Sequence, residues 1–218
     1  MAIDGAPEGW IKDFYADGSG SNQSVGIILV HGFTGTPASM RPWAHYLNER
    51  GYTVSVPLMP GHGTTWHDLN KVTWEQWPAR LQVDIDQMKK KCAKIFICAL
   101  SMGGGNSLYV AARNQDSITG LILVNPMIHI PGIQIKFVNI ISRIQKSRAS
   151  VGDDIKKPGV TEWGYDALPI RGVAQLHKYL KLARAGLPLI KTPTLRSEEH
   201  TSELQSHSDL VCRLLLEK

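Results

Sequence analysis

Ser101 stands in the pattern Ala99-x-Ser101-x-Gly103, between the apolar run "KIFICAL" (Lys94–Leu100) and a triplet of glycines, Gly103, Gly104 and Gly105. An apolar run closed by small residues predicts a buried strand, and the stretch from Gly103 to Asn114 predicts a helix. A serine at such a strand-to-helix turn occupies a nucleophile elbow. The turn is tight, so small residues are needed two positions either side of the serine; Ala99 stands where glycine is more frequent. The elbow lifts the hydroxyl clear of the sheet at the carboxyl ends of its strands. It also aims the Met102 backbone N–H at the place where an oxyanion would form, and the following helix adds its positive end. The chemistry this permits is acyl transfer with Ser101 as nucleophile. The rival reading is a glycine-rich turn with no chemistry.

Other elements must hold that turn. "VGIILVHG" (Val25–Gly32) is continuously apolar, as expected of a strand buried on both faces of a parallel sheet. It leads into "HGFTGTP" (His31–Pro37). Pro37 opens a predicted helix carrying Met40, Trp43, Ala44 and Leu47, which Gly51 ends. "YTVSVP" (Tyr52–Pro57) reads as a strand and "PGHGTTWHD" as a loop. From Thr73 to Lys91, Trp74, Trp77, Leu81, Ile85 and Met88 form one helical stripe, with Thr73 as N-cap and Gln76 at the capping-box position. "GLILVNP" (Gly120–Pro126) is a further strand. This alternation predicts a doubly wound, mostly parallel α/β sheet. After Pro126 the pattern loosens, although Ile170–Ala185 is amphipathic. Residues 127–186 are expected to be an insertion capping the sheet, and "IKTPTL" (Ile190–Leu195) the start of one more strand. Residues 1–24 are polar, with Trp10 and Phe14 as isolated anchors.

Composition narrows the classes. The 218 residues hold 24 Lys and Arg against 19 Asp and Glu, a formal charge of +5. The densest basic cluster, Lys89, Lys90, Lys91 and Lys94, has no interleaved aromatics, so it reads as a solvated helix end rather than a nucleic-acid surface. Cys92, Cys98 and Cys212 make neither a disulfide framework nor a zinc ribbon, and Cys98 is expected to be buried and inert. No apolar run approaches a membrane span, and no basic-then-apolar leader opens the chain. The expected location is therefore cytoplasmic, without stable membrane insertion.

"ILVHGFTGTPASM", "PLMPGHGT", "CALSMGG" and "LILVNP", in that order, resemble the α/β hydrolases of the bacterial carboxylesterase and monoacylglycerol lipase branch. The likeness covers roughly residues 20–195. It implies an α/β-hydrolase fold with Ser101 as nucleophile, the backbone amides of Phe33 and Met102 as the oxyanion hole, and residues 127–186 as a lid over an acyl pocket. The isoleucine-rich stretch from Ile128 to Ile144 suits an apolar acyl chain and suits core packing equally. The implied activity is hydrolysis of a small carboxylic ester or acylglycerol through an acyl-enzyme, with no metal or organic cofactor. Acyl-chain length, alcohol preference and oligomeric state are left open.

The family pattern also calls for a catalytic acid after the strand near Pro193 and a histidine later still. Residues 196–218, "RSEEHTSELQSHSDLVCRLLLEK", instead resemble the in-frame translation of a sequencing-library adapter. On that reading residues 1–195 are a hydrolase domain truncated before its last strands, and 196–218 are a non-native tail. The acid and histidine are then missing, and the chain as printed is expected to be inactive and to fold poorly. Asp209 lies within the tail and carries no catalytic expectation. His62 precedes the nucleophile, whereas the family order is serine, acid, histidine, so a loop role is expected for it; His31 likewise reads as structural. Two other classes stay open: a non-catalytic protein of this fold binding a small apolar ligand, and a metal-dependent hydrolase using His62, His67 and Asp68. Within the hydrolase fold, thioesterase, amidase and C–C hydrolase activities also remain open.

Overall fold

The structure, a computed structural model, describes residues 5–149 and 163–197. In chain order its regular elements are β1 (Phe14–Ala16), β2 (Val25–Val30), α1 (Arg41–Asn48), β3 (Thr53–Val56), α2 (Trp66–Leu69), α3 (Gln76–Met88), β4 (Lys94–Leu100), α4 (Met102–Ala111) and β5 (Gly120–Val124). They continue with α5 (Val138–Ile144), β6 (Ser147–Ala149), β7 (Ala167–Pro169), α6 (Ile170–Gly186) and β8 (Thr194–Ser197). Six strands form one sheet in the order β1-β3-β2-β4-β5-β8. β2, β3, β4, β5 and β8 run parallel; β1 joins the edge antiparallel to β3. This is the doubly wound, mostly parallel sheet that the alternation predicts.

Successive side chains of a strand face opposite ways, so the unbroken apolar runs feed two cores. Ile28 and Val30 of β2 pack with Ile97, Leu121 and Leu123 against Trp77, Leu81 and Ile85 of α3 and Leu108 of α4. Ile27 and Leu29 turn the other way, with Val54, Val56 and Cys98, onto Met40 and Ala44. Burial raises the Cys98 thiol to about 12, which keeps it protonated and inert.

Three local readings differ from the sequence expectation. β1 lies within a stretch read as polar and irregular; a strand of three residues is too short to show a period of two. Its Phe14 pairs with Val56, and the Arg41 guanidinium stands 4.4 Å over the Phe14 ring. α3 starts at Gln76 rather than just after Thr73. One arm of the expected capping box forms, from the Thr73 N–H to Gln76 Oε1 at 3.1 Å, while the next amide, that of Trp74, is drawn away to Gln175 Oε1. Finally, α6 serves two layers. Ile170, Val173 and Ala174 pack with Val138 in a small cluster outside the sheet, whereas Leu176, Tyr179 and Leu180 enter the main core. Its second half is therefore the helix that returns the chain from β5 to β8.

The isoleucine-rich stretch is also divided. Ile128 is buried in the main core and Ile135 and Ile141 pack on the small cluster, while Ile133, Ile140 and Ile144 are exposed. β8 crosses the expected boundary at residue 195, since Arg196 and Ser197 pair in register with Leu123 and Val124. The remainder of the adapter-like segment, including Asp209 and Cys212, and residues 150–162, which hold most of the polar stretch from Gly152 to Gly164, lie outside the described residues. Among those described, no helix is long and apolar enough to cross a membrane.

Candidate active site

β2 and β4 are neighbours in register, with Val30 opposite Ala99. The loops that leave their carboxyl ends therefore start side by side at the centre of the sheet. Parallel sheets present ligand sites at this edge. A Cβ placed on Gly32 would lie 3.4 Å from the Ser101 Cβ, so the "HGFTGTP" loop passes directly over the candidate nucleophile.

Ser101 has φ 52° and ψ −117°, a conformation that costs a non-glycine residue about 1–3 kcal/mol. Its neighbours hold it there. The Ser101 N–H donates to Val124 O at 3.1 Å, and the Ser101 carbonyl accepts from Gly104 N–H at 2.9 Å and Met127 N–H at 2.8 Å. The glycine triplet lets α4 start against the strand ends. A Cβ on Gly103 would come within 2.5 Å of Val30 O, one on Gly104 within 2.6 Å of the Pro126 side chain, and one on Gly105 would strike Met127 O. Gly103→Ala must push backbone against backbone. It is expected to cost about 2–3 kcal/mol, a fall in Tm of roughly 5–10 °C readable by thermal unfolding.

Met102 is the first residue of α4, where an amide has no partner within the helix. Among the described residues, neither the Met102 nor the Phe33 amide donates to another backbone carbonyl. Both sequence-predicted donors thus belong to segments that meet at Ser101. The Phe33 ring packs edge-on to Trp77 at 6.3 Å and to His62 at 6.0 Å.

The two histidines of this region are buried and hydrogen-bonded to backbone groups. Met59 N–H donates to His31 Nε2 at 3.1 Å, which leaves the proton on Nδ1, 2.9 Å from Gly32 O. Burial lowers His31 to about 4. His62 Nδ1 lies 3.1 Å from Pro60 O and 3.2 Å from Met59 O, and among the described residues its Nε2 has no hydrogen-bond partner. Burial, then the neighbouring His31, lowers His62 to about 3. Neither ring hydrogen-bonds Ser101. His67 is exposed and stacks on Trp66, while Asp68 pairs with Lys71 at 2.8 Å, which together with Thr65 holds it down to about 2. His62, His67 and Asp68 are therefore not assembled into one ligand set, and among the described residues no group of three or more His, Cys, Asp or Glu could hold a metal.

Tyr165 is a participant that no sequence pattern singles out. Its hydroxyl donates to Gly61 O at 2.7 Å and accepts from Thr64 N–H at 3.1 Å, and its own N–H donates to Thr34 O at 3.1 Å. These partners lie more than a hundred residues away in the chain, beyond the reach of any local signal.

Comparison with known proteins agrees with this fold. Residues 22–160 match the family model described as serine aminopeptidase, S33. The chain is 37% identical over 184 residues to a thermostable monoacylglycerol lipase of Bacillus sp. (strain H-257), an alignment covering 84% of this chain and 71% of that protein. It is 26% identical over 169 residues to a carboxylesterase of Bacillus subtilis (strain 168), covering 77% of this chain and 68% of that one. Among solved structures, a metagenome-derived lipolytic enzyme from the work on LipS and LipT superposes with a TM-score of 0.82 at 28% identity, covering 88% of this chain and 77% of that one.

Proposed function

The chain belongs to the α/β-hydrolase family whose model is described as serine aminopeptidase, S33, and from that premise we propose that its full-length parent is a serine carboxylic-ester hydrolase of the carboxylesterase or monoacylglycerol lipase type. The observation that carries the reading is Ser101 itself. It is a strained serine at the central strand end, with the Gly32 loop in contact and two candidate amide donors beside it. Ester rather than peptide chemistry follows from the lipase and esterase names of its relatives.

In this mechanism Ser101 Oγ attacks the ester carbonyl, and the carbonyl oxygen gathers charge that the Phe33 and Met102 amides stabilise. A histidine of the parent, outside residues 1–195, takes the serine proton and passes it to the departing alcohol. It then activates the water that releases the acid from Ser101. A carboxylate, also in the parent's remainder, orients that histidine. The reaction requires no metal or organic cofactor. On the same reading residues 196–218 are foreign to the parent, and the chain as printed hydrolyses esters about 10⁴- to 10⁶-fold more slowly than the parent does.

The test is covalent labelling of the parent with a fluorophosphonate, followed by peptide mass mapping. One adduct on the peptide containing Ser101, together with turnover of a monoacylglycerol, is the expected result. A parent that binds the acylglycerol but neither reacts with the probe nor releases fatty acid refutes the proposal and leaves a ligand-binding protein of the same fold.

A further inference from the structure

The segment over Ser101 has to keep an uncommon shape. Thr34, one residue beyond the candidate oxyanion donor, has φ 63°, in the left-handed region that favours glycine. Its hydroxyl is turned back to Phe33 O at 2.5 Å. A short turn closes behind it, from Gly35 N–H to Gly32 O at 3.3 Å. Little in the local sequence imposes this geometry, since a threonine at positive φ is strained. The restraint must come from outside the loop.

It comes from the stretch that leads back towards β7. Tyr165 N–H binds Thr34 O, and a Cβ on Gly164 would lie 3.2 Å from that same oxygen, so the two backbones are in direct contact. The Tyr165 side chain is 3% exposed and continues inward. Its hydroxyl bonds both Gly61 and Thr64, and its ring lies nearly parallel to that of His62, 6.4 Å away. His62 in turn meets His31 edge-on at 5.0 Å, and His31 binds Gly32 O. From the other side, Gly172 of α6 comes close to the tip of the Phe33 ring, where an added Cβ would stand 3.2 Å from Phe33 Cζ. The Phe33–Thr34 unit is thus gripped at its ring by α6 and at its carbonyl by Tyr165. Tyr165 is anchored to a third loop that itself supports His31.

We propose that Tyr165 is a positioning residue of the oxyanion hole: by tying Thr34 to the Gly61–Thr64 loop it sets the direction of the Phe33 amide above Ser101. The inference rests on the serine-hydrolase reading above and deepens it. It makes the segment between the small outer cluster and the sheet part of the catalytic geometry and not only a cover. An amide moved by a fraction of an ångström still contacts a ground-state carbonyl, but it loses alignment with the oxyanion.

The experiment uses Tyr165→Phe in the full-length parent, assayed on a soluble p-nitrophenyl ester, with rates normalised to the sites titrated by fluorophosphonate. The variant keeps the ring on His62 and the N–H to Thr34 and removes only the two hydroxyl bonds. Per titrated site, kcat is expected to fall about 10- to 100-fold, with KM within about twofold. Affinity for a trifluoromethyl ketone, which reacts to form a tetrahedral oxyanion, is expected to fall in parallel with kcat/KM. An unchanged kcat per titrated site, or a rise in KM alone, overturns the proposal whatever happens to Tm. If Tyr165→Phe does not fold, Gly164→Ala, which presses on Thr34 O while sparing the tyrosine, is read by the same criteria. A wild-type parent that takes no label and shows no turnover defeats the hydrolase reading instead, so the two failures are distinct.

Discussion

Ser101→Ala in the full-length parent is expected to lower kcat for ester hydrolysis by about 10⁴- to 10⁶-fold, with KM little changed and the fluorophosphonate adduct lost. The loss is large because, on the proposed mechanism, the hydroxyl forms the acyl-enzyme. Cys98, the nearest thiol in sequence, is buried on the α1 face of the sheet with its proton held to about 12. A companion substitution separates chemistry from strain. Ser101→Gly should be equally inactive yet more stable than Ser101→Ala by about 1–2 kcal/mol, because glycine occupies φ 52° without a Cβ penalty. The measurement is a pair of thermal unfolding curves beside the kinetic assay. Residual turnover above 1% of wild type in Ser101→Ala would show that another residue attacks the ester.

The second large effect is on stability in acid. His31 and His62 are held to about 4 and about 3 in the folded protein, below their ordinary value of 6.5, because both rings are buried and, for His62, because His31 lies beside it. The unfolded chain therefore binds two protons below pH 6.5 that the folded chain refuses. Their contribution is fully present above pH 6.5 and is lost as pH falls towards 4, at about 1.4 kcal/mol per pH unit for each ring. Together they remove on the order of 5 kcal/mol between pH 6.5 and 4, a large share of the stability of an ordinary domain. Urea unfolding at pH 7, 6 and 5 reads this directly. The free energy should change little above pH 7 and then fall with a slope that approaches an uptake of two protons, about 2.7 kcal/mol per pH unit. His62→Phe should halve that slope. A flat profile from pH 7 to 5 would mean that both rings take up protons in the folded state as readily as in the unfolded chain, and half the slope that only one of them does.

The same two rings show why some of the site was legible in the sequence and some was not. The order of motifs predicts a loop role for His62. What it does there, stacking on Tyr165 and bracing the loop that carries His31, depends on three segments brought together by folding. The sheet strands were readable because each is a continuous apolar run, and its two faces fill two cores. β1 was not, because it owes its strand conformation to pairing with β3. The start of α3 shifted because Gln175, on α6, takes the Trp74 amide.

By itself, then, the amino-acid sequence determined the alternation of strands and helices, the tight turn at Ser101 and the two loops that meet there. Each of these rests on local chemistry: hydrophobic periodicity, small residues at a tight turn, and the free amides at a helix start. Only the tertiary structure decided what presses those loops into place. The β2–β4 register sets Gly32 against Ser101, the ends of β2 and β5 leave no room for a side chain on the glycine triplet, and Tyr165 grips Thr34 from across the chain. Such contacts join residues far apart in sequence, so no local pattern records them; they exist once the hydrophobic cores have drawn the sheet, α6 and the returning segment together.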